Sequence, residues 1–229
     1  LRIREQQLRE ADRRKDEFLA VLAHELRNPL VPIRTGIELL KDAHLRPGLI
    51  DTVRPMMQRQ VHHMVRLIDD LLDVSRITSG KIQLHRQPVT LGSVIESAVE
   101  SNRSAIAAGE LTLSVNLDQP QLLLSVDPTR FTQVIANLLQ NAAKFTAPGG
   151  YISVDTALVG AADSASPSQR VLTVTVTDTG AGIAAEFLPH VFDLFAQAQA
   201  PQMQTGLGIG LTLGRRLVEL HGGSIAAHS

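Results

Sequence analysis

One histidine near the start of the chain lies on the polar side of a helical apolar pattern. At about 100° per residue, His24 points roughly 180° away from the midpoint of Leu22 and Leu26. Because the apolar stripe is expected to face inward, His24 is predicted to face solvent, with Glu25 beside it and Asn28 one turn further on. An exposed imidazole that is largely neutral near pH 7 can act as a nucleophile, although most exposed histidines have no such role.

Histidine-based metal sites have little support in this sequence. A zinc site of the His-Glu-x-x-His type needs a second histidine where Asn28 stands. His62 and His63 are adjacent on a predicted helix, so their side chains diverge and are not expected to share a metal ion.

A second polar set lines one face of a later predicted helix. Asn137, Asn141 and Lys144 are separated by four and three residues, which places them on one side of the helix. An amide oxygen can ligate Mg²⁺, and a lysine can bind phosphate oxygens. The pattern therefore suits a phosphate and a cation, but it is not specific by itself.

A carboxylate followed by two glycines ends the most strand-like segment of the chain. Asp178, Gly180 and Gly182 stand in the order Asp-Thr-Gly-Ala-Gly, and the glycines allow a ligand to approach the backbone closely. Residues 180–185 also fit the dinucleotide fingerprint, which requires an acidic residue about 20 positions later. Residues 194–214 contain no charged side chain, so that interpretation fails. The carboxylate remains able to accept a hydrogen bond from an exocyclic amine.

Alternating glycines open the last predicted helix. Gly206, Gly208 and Gly210 could bind phosphate at the helix N-terminus, but no Gly-Lys-Ser/Thr follows as in a Walker loop. Residues 201–206, just before the helix, have no helix or strand signal, so we expect either a flexible lid or an ordinary surface loop.

The composition excludes several classes of protein. The net charge of -1 and the 3% aromatic content argue against nucleic-acid binding, and the absence of cysteine excludes disulfides and thiolate metal sites. No apolar run approaches the ~20 residues of a membrane span, so no membrane contact by this chain is expected. Because the chain begins with Leu1 inside a helical pattern, we expect it to be a piece of a longer protein.

The first part of the chain is predicted to be a helical hairpin. Residues 1–17 hold 11 charges of mixed sign and suit a coiled-coil lead-in. Two apolar stripes at helical spacing follow, over residues 18–44 and from Val53 to about Gly80, with a bend at Pro29 and a turn over residues 44–51. Two helices bury such stripes poorly, so a hairpin spanning residues 18–88 is expected to dimerise into a four-helix bundle.

Residues 89–229 are predicted to form a domain of the α+β class, in which helices on a sheet make an α/β two-layer sandwich. A loop tip is expected over residues 160–169. The predicted helices are Leu91–Ala108, Asp127–Phe145, Ala184–Phe195 and Ile209–His221, and the predicted strands are Leu111–Leu117, Gln121–Val126, Tyr151–Val159, Arg170–Thr177 and Ser224–Ala227.

The order of these motifs resembles the sensor histidine kinases of bacterial two-component systems. The resemblance covers essentially the whole chain, and five motifs in family order are highly specific. They correspond to the H, N, G1, F and G2 boxes of that family: His24-Glu-Leu-Arg-Asn28-Pro-Leu, Asn137 to Asn141-Ala-Ala-Lys144-Phe, Asp178-Thr-Gly180-Ala-Gly182, Phe192-Asp-Leu-Phe195, and Gly206-x-Gly208-x-Gly210.

The resemblance implies a role for each of these residues. His24 would be the phosphoacceptor, Glu25 the base that raises its nucleophilicity, and Asn28 a residue that can support phospho-aspartate hydrolysis. In the second domain, which would have the Bergerat ATP-binding fold, Asn141 would ligate Mg²⁺ near Asn137. Lys144 would contact phosphate, Asp178 would bind the adenine amine beside Gly180 and Gly182, and Gly206, Gly208 and Gly210 would shape the lid end.

The resemblance also implies partners and a reaction. A homodimer would use ATP and Mg²⁺ to phosphorylate itself and would pass the phosphoryl group to an aspartate of a response-regulator receiver domain, in the cytoplasm. Membrane anchoring of the parent protein stays open. Two alternatives stay open: a catalytically weak, nucleotide-binding dimeric signalling scaffold, and an ATPase of the chaperone, gyrase or mismatch-repair type. The scaffold is motivated by the absence of Lys and Arg from residues 194–205, and the helical hairpin argues against the ATPase.

Overall fold

A computed structural model describes residues 2–41, 48–78, 82–160, 170–194, 196 and 208–229. These residues form two compact units. The hairpin unit contains the two N-terminal helices, and the sheet unit comprises residues 82–192 and 210–229.

Two long helices make the hairpin unit, as predicted. Helix α1 spans Arg2–Lys41 and helix α2 spans Leu49–Thr78. The charged lead-in is therefore helical, and α1 continues through Pro29 although this proline lacks the N–H that donates to the carbonyl four residues earlier. The helices approach closely at Gly36, where an added Cβ would lie 2.7 Å from the sulfur of Met57 and 3.0 Å from a methyl of Val53.

Large apolar side chains also remain on the outside of the hairpin unit. Two packed helices cannot enclose a stripe that wraps around each of them, so part of each stripe stays in contact with solvent in a single chain. These exposed side chains are Leu30, Val31, Ile37, Leu39, Ile50, Val61, Val65, Ile68 and Leu72.

Two sheets and three α-helices make up most of the described part of the sheet unit. Strand β1 (Gln87–Thr90) pairs antiparallel with β3 (Leu123–Val126). Strand β4 (Tyr151–Val159) lies between β2 (Thr112–Leu117), to which it is parallel, and β5 (Val171–Asp178), to which it is antiparallel. The helices are α3 (Leu91–Ala108), α4 (Pro128–Phe145) and α5 (Gly210–Leu220).

The core of the sheet unit lies between the three-stranded sheet and helices α3 and α4. Ile152 and Val154 of β4 are fully buried in one cluster with Leu91, Ile95 and Leu139 of the helices. Along β5 the side chains alternate, with Leu172, Val174 and Val176 half-buried on one face and Thr173, Thr175 and Thr177 exposed on the other. One face of the sheet is covered and the other faces solvent, which is the predicted two-layer α+β arrangement.

Two predicted elements of the sheet unit are wrong. The described part of Ala184–Phe195 forms turns and a short 3₁₀ helix, Leu188–His190, because Pro189 cannot donate a backbone hydrogen bond in a continuing α-helix. The segment Ser224–Ala227 forms no strand, since it pairs with no described strand of the sheet. The predicted loop tip, apart from Gly160, and the predicted lid over residues 201–206 lie outside the described residues.

Asp127 joins the segment before β1 to the ends of two helices. Its buried carboxylate caps α4 by accepting a hydrogen bond from the N–H of Arg130 at 3.1 Å, and it accepts another from the N–H of His85 at 2.9 Å. Its own N–H donates to Nε2 of His221, just beyond α5, at 3.1 Å. Burial alone would raise the pKa of Asp127, but the two backbone hydrogen bonds and nearby positive charge hold it below its ordinary value.

We expect Asp127→Ala to lower the free energy of unfolding of the sheet unit by about 2 kcal/mol, because the helix cap and the partner of the His85 N–H are both lost. Since the pKa is lower in the folded state, the carboxylate stabilises the fold above about pH 4, and this stabilisation is lost as the pH falls through the folded pKa. Denaturant titration at pH 7 and pH 3 measures both effects. Asp127→Asn retains an acceptor and should lose less at pH 7; equal losses for the two variants would contradict the capping role.

Candidate functional site

His24 is exposed on α1, as the apolar pattern predicts. Its side chain is 70% exposed, whereas that of its neighbour Glu25 is only 6% exposed. Nδ1 of His24 lies 3.2 Å from the side-chain amide of Asn28, one turn further along the helix. The other ring nitrogen, Nε2, is therefore the one that remains available to an incoming reactant.

The burial of Glu25 is the unexpected feature of this group. The nearest distance between its Oε1 and Nδ1 of His24 is 3.9 Å, which exceeds hydrogen-bond length. Catalytic hydrogen bonds are often long before substrate binds and shorten in the complex. The three residues predicted from the sequence thus lie together, with Asn28 in contact with the imidazole and Glu25 held toward the interior of the hairpin unit.

Helix α4 presents the second predicted group on one face, as its spacing requires. Asn137 is half-buried and its amide donates to the carbonyl of Gly210 at 3.4 Å, which joins α4 to the first residue of α5. Asn141 is half-buried one turn later, and Lys144 is exposed at the end of the helix with its Nζ 4.6 Å from the ring centroid of Phe145. This face therefore offers amide oxygens and an ammonium group next to the start of α5.

The carboxylate and glycines after β5 pack against the end of the same helix. Oδ1 of Asp178 accepts a hydrogen bond from the N–H of Gly180 at 2.8 Å, and the N–H of Ala181 donates to the carbonyl of Phe145 at 3.3 Å. A Cβ on Gly180 would lie 2.5 Å from that carbonyl oxygen, so no larger residue fits there without movement of the backbone. Gly182 has a φ of +73°, which favours glycine.

Phe145 is the part of this group that the sequence analysis missed. Its backbone carbonyl sets the position of the loop after β5, and a backbone contact between residues so far apart leaves no signal in local sequence patterns. The structure therefore brings Asp178, Gly180 and Lys144 to the C-terminal end of α4, and Asn137 to the start of α5.

The glycine motif before α5 is only partly described. Gly210 is the first residue of α5 and Gly208 lies two residues before it, while Gly206 is outside the described residues. The helix start is thus positioned beside Asn137, as a phosphate site at a helix N-terminus would require.

A cation at this site could take the side-chain oxygen of Asn141 as a ligand. Within the described ranges, no three His, Asp or Glu side chains are grouped so that they could hold a metal ion. Mg²⁺ commonly takes only one or two protein ligands and completes its shell with phosphate oxygens and water. The half-buried Asn141 amide fits that requirement.

No helix in the described part of the chain combines the length and the apolar character needed to span a membrane.

Two family models match the two units. Residues 14–80 match the His Kinase A (phospho-acceptor) domain, and residues 126–229 match the histidine kinase-, DNA gyrase B-, and HSP90-like ATPase. The ATPase description alone would fit a gyrase or chaperone relative, but the phosphoacceptor domain distinguishes the histidine kinases.

Similar proteins support the same assignment. The chain is 36% identical over 227 residues to the "Non-motile and phage-resistance protein" of Caulobacter vibrioides, covering 96% of this chain and 26% of that protein. It is 34% identical over 224 residues to the signal transduction histidine-protein kinase BarA of Escherichia coli K12, covering 96% of this chain and 24% of BarA. The chain therefore spans about a quarter of the length of these curated relatives.

A solved structure supports the fold. The histidine kinase AdeS of Acinetobacter baumannii superposes with a TM-score of 0.60 at 20% identity, covering 86% of each chain. With a phosphoacceptor domain followed by an ATP-binding ATPase domain, the chain belongs to the two-component sensor histidine kinases.

Proposed function

We propose that this chain uses ATP and Mg²⁺ to phosphorylate His24 and then transfers the phosphoryl group to an aspartate of a response-regulator receiver domain. The observation that carries the proposal is the exposed His24 imidazole, held at Nδ1 by Asn28, in a chain that also contains an ATPase domain. Residues 18–88 would serve dimerisation and phosphotransfer, and residues 89–229 would bind the nucleotide.

The first step is attack of Nε2 of His24 on the γ-phosphorus of ATP. The Nε2–P bond forms, the bond between phosphorus and the β,γ-bridging oxygen breaks, and ADP leaves. For Nε2 to be the nucleophile, the neutral ring must carry its proton on Nδ1. With its side-chain amide flipped, Asn28 places Oδ1 instead of Nδ2 toward the ring and accepts a hydrogen bond from the Nδ1–H of His24. Glu25 then takes the proton as charge develops on the ring, over a distance that must shorten from 3.9 Å.

The face of α4 is proposed to bind the triphosphate. Lys144 supplies positive charge to phosphate oxygens, and Asn141 ligates Mg²⁺ through its side-chain oxygen, with Asn137 beside it. Bound Mg²⁺ would neutralise charge on the phosphates. Phosphoryl transfer depends mainly on positioning and charge neutralisation, so fixed amides and an ammonium group are sufficient contributions from this helix.

Asp178 is proposed to recognise the adenine base. Its carboxylate is exposed after β5 and oriented by the N–H of Gly180, so an acceptor is available for the exocyclic amine of adenine. Gly180 and Gly182 have no side chains, so the base can approach the backbone beside Asp178 closely. Gly206, Gly208 and Gly210 are proposed to shape the lid end that precedes α5.

The exposed apolar side chains of the hairpin unit favour a second copy of the chain as their cover. Ile37 and Val65 are each 50% exposed, on α1 and α2 respectively. Two hairpins that bury such stripes against each other form a four-helix bundle. Light scattering at tens of micromolar chain should therefore give the mass of a dimer.

Transfer to a receiver aspartate and hydrolysis of the resulting acyl phosphate are the finer parts of the proposal. His24 is exposed on α1, so a partner protein could reach a phosphoryl group attached to it. Asn28, which already contacts His24, is proposed to orient water for the hydrolysis. Because the reaction consumes ATP, we place it in the cytoplasm.

Incubation with γ-labelled ATP and Mg²⁺ tests the proposed class of activity. A histidine kinase incorporates label into its own chain, and the label is stable in base but lost in acid, because a phosphoramidate hydrolyses when protonated. Measurements of nucleotide binding and of free phosphate are made on the same samples.

The alternatives predict other outcomes. A signalling scaffold would bind nucleotide without becoming labelled. An ATPase of the chaperone or gyrase type would release phosphate steadily without acid-labile phosphoprotein. Either result would contradict the proposed function.

A further inference from the structure

The register of the hairpin places the buried Glu25 near a histidine of the other helix. Gly36 packs against Val53 and Met57. Glu25 precedes Gly36 by eleven residues, which make about three helical turns. In an antiparallel pair of helices, the residues opposite Glu25 therefore lie eleven positions after Val53 and Met57, at 64–68. His63 adjoins this stretch at its N-terminal end.

His63 is turned toward the helix pair, whereas its neighbour His62 is not. His63 precedes Leu67 by four residues, and Leu67 is among the buried residues of the hairpin unit, so the two share the inner side of α2. The His63 side chain is accordingly half-buried and that of His62 is exposed.

The electrostatics of His63 agree with this register. Burial lowers the pKa of His63, the Arg66 guanidinium lowers it further, and the Glu25 carboxylate opposes both by raising it. His63 is therefore mainly neutral at pH 7, and of the described charged groups those that act on its ring are Arg66 from its own helix and Glu25 from α1.

The neutral ring has a defined tautomer in this arrangement. Nη2 of Arg66 lies 3.5 Å from Nδ1 of His63. A guanidinium group can only donate, so Nδ1 must accept and the proton of the neutral ring stands on Nε2. That N–H is the group that His63 can offer to a carboxylate across the hairpin.

We propose that His63 is a positioning residue for the phosphorylation site: its Nε2–H donates to the buried Glu25 carboxylate and holds it on the inner side of α1, beside His24. This inference rests on the proposed function of His24 and Glu25. Loss of this donor would weaken the hold on the carboxylate, and a carboxylate displaced from the inner side of α1 would no longer accept the Nδ1 proton of His24 from its present position.

The contact itself is tested by titrating the histidine rings of the full chain by NMR. The NMR signals of the His63 ring are identified as those missing from the spectrum of His63→Gln. The pKa of His63 is then compared between the wild type and Glu25→Gln. Because the Glu25 charge raises the pKa of His63, the pKa should fall in Glu25→Gln while that of His62 stays the same. An unchanged His63 pKa would overturn the proposal.

The positioning role is tested by the kinetics of labelling with γ-labelled ATP. His63→Leu should reduce the rate at saturating ATP by about tenfold, the effect expected for losing a hydrogen bond to a charged group, with the KM for ATP unchanged. His63→Gln retains a side-chain donor and should recover most of the rate, and the matched control His62→Leu should match the wild type.

Two results would count against this role. Equal losses of labelling rate in His63→Leu and His63→Gln would contradict the proposed role of His63 as a hydrogen-bond donor. An equal loss of rate in His62→Leu would mean that the effect comes from the helix as a whole. If no variant and no wild type is labelled, the proposed function fails, while the NMR titration still decides the contact between His63 and Glu25.

Discussion

His24→Ala is expected to abolish labelling by γ-labelled ATP while leaving nucleotide binding and the dimer unchanged. Removing the imidazole removes the nucleophile, and neither Glu25 nor Asn28 can replace a nitrogen that forms the phosphoramidate. The side chain is 70% exposed, so its truncation creates no cavity and should not alter the stability of the hairpin unit. The measurement is label per chain over time, with nucleotide affinity and light scattering on the same preparation.

The matched control for this variant is His62→Ala, which removes an exposed imidazole from the other helix of the same hairpin. It should be labelled as the wild type is. Residual label in His24→Ala would show that another residue accepts the phosphoryl group.

Asn141→Asp is expected to reduce labelling roughly a hundredfold, the size of effect found when one preorganised electrostatic contact to a transition state is lost. The substitution keeps the shape of the side chain but places a negative charge on the face of α4 that is proposed to bind the triphosphate. Repulsion of the phosphates should weaken ATP binding and misplace the γ-phosphoryl group. Initial rates over a range of ATP and Mg²⁺ concentrations measure both effects.

Gln140→Glu provides the control for charge alone. Gln140 is exposed and directly precedes Asn141, but it lies about 100° around the helix from it. Its replacement adds the same charge to the same helix and should change labelling little. Equal losses in the two variants would mean that net charge, rather than the site, determines the effect, and unchanged labelling in Asn141→Asp would contradict the metal assignment.

The helices that position the site follow from the sequence because local signals agree. Helix α3 has the predicted bounds, Leu91–Ala108. Helix α4 begins after Asp127, whose carboxylate and the proline that follows it form a typical helix start. The exposure of His24 follows from the angle between it and the apolar stripe. In each case a residue's own neighbours in sequence determine its environment.

Other features depend on residues far apart in sequence. Glu25 is four residues before the buried Pro29, so the two share one face of α1, but helical spacing alone does not show which residues cover that face. The hydrogen bonds that join Asp127 to His85 and His221 span 42 and 94 residues. The helix predicted over Ala184–Phe195 is wrong because Pro189 cannot donate the backbone hydrogen bond that a continuing α-helix needs.

Mapping the phosphorylated residue of the wild type tests the central claim most directly. After reaction with ATP and Mg²⁺, the chain is cleaved at neutral pH after Lys15 and Arg27, which releases residues 16–27. His24 is the one histidine of this peptide, and the peptide contains no serine, threonine or tyrosine. We expect mass spectrometry to find one acid-labile phosphate on His24 in this peptide. Phosphate on another peptide, or an acid-stable phosphate, would contradict the account.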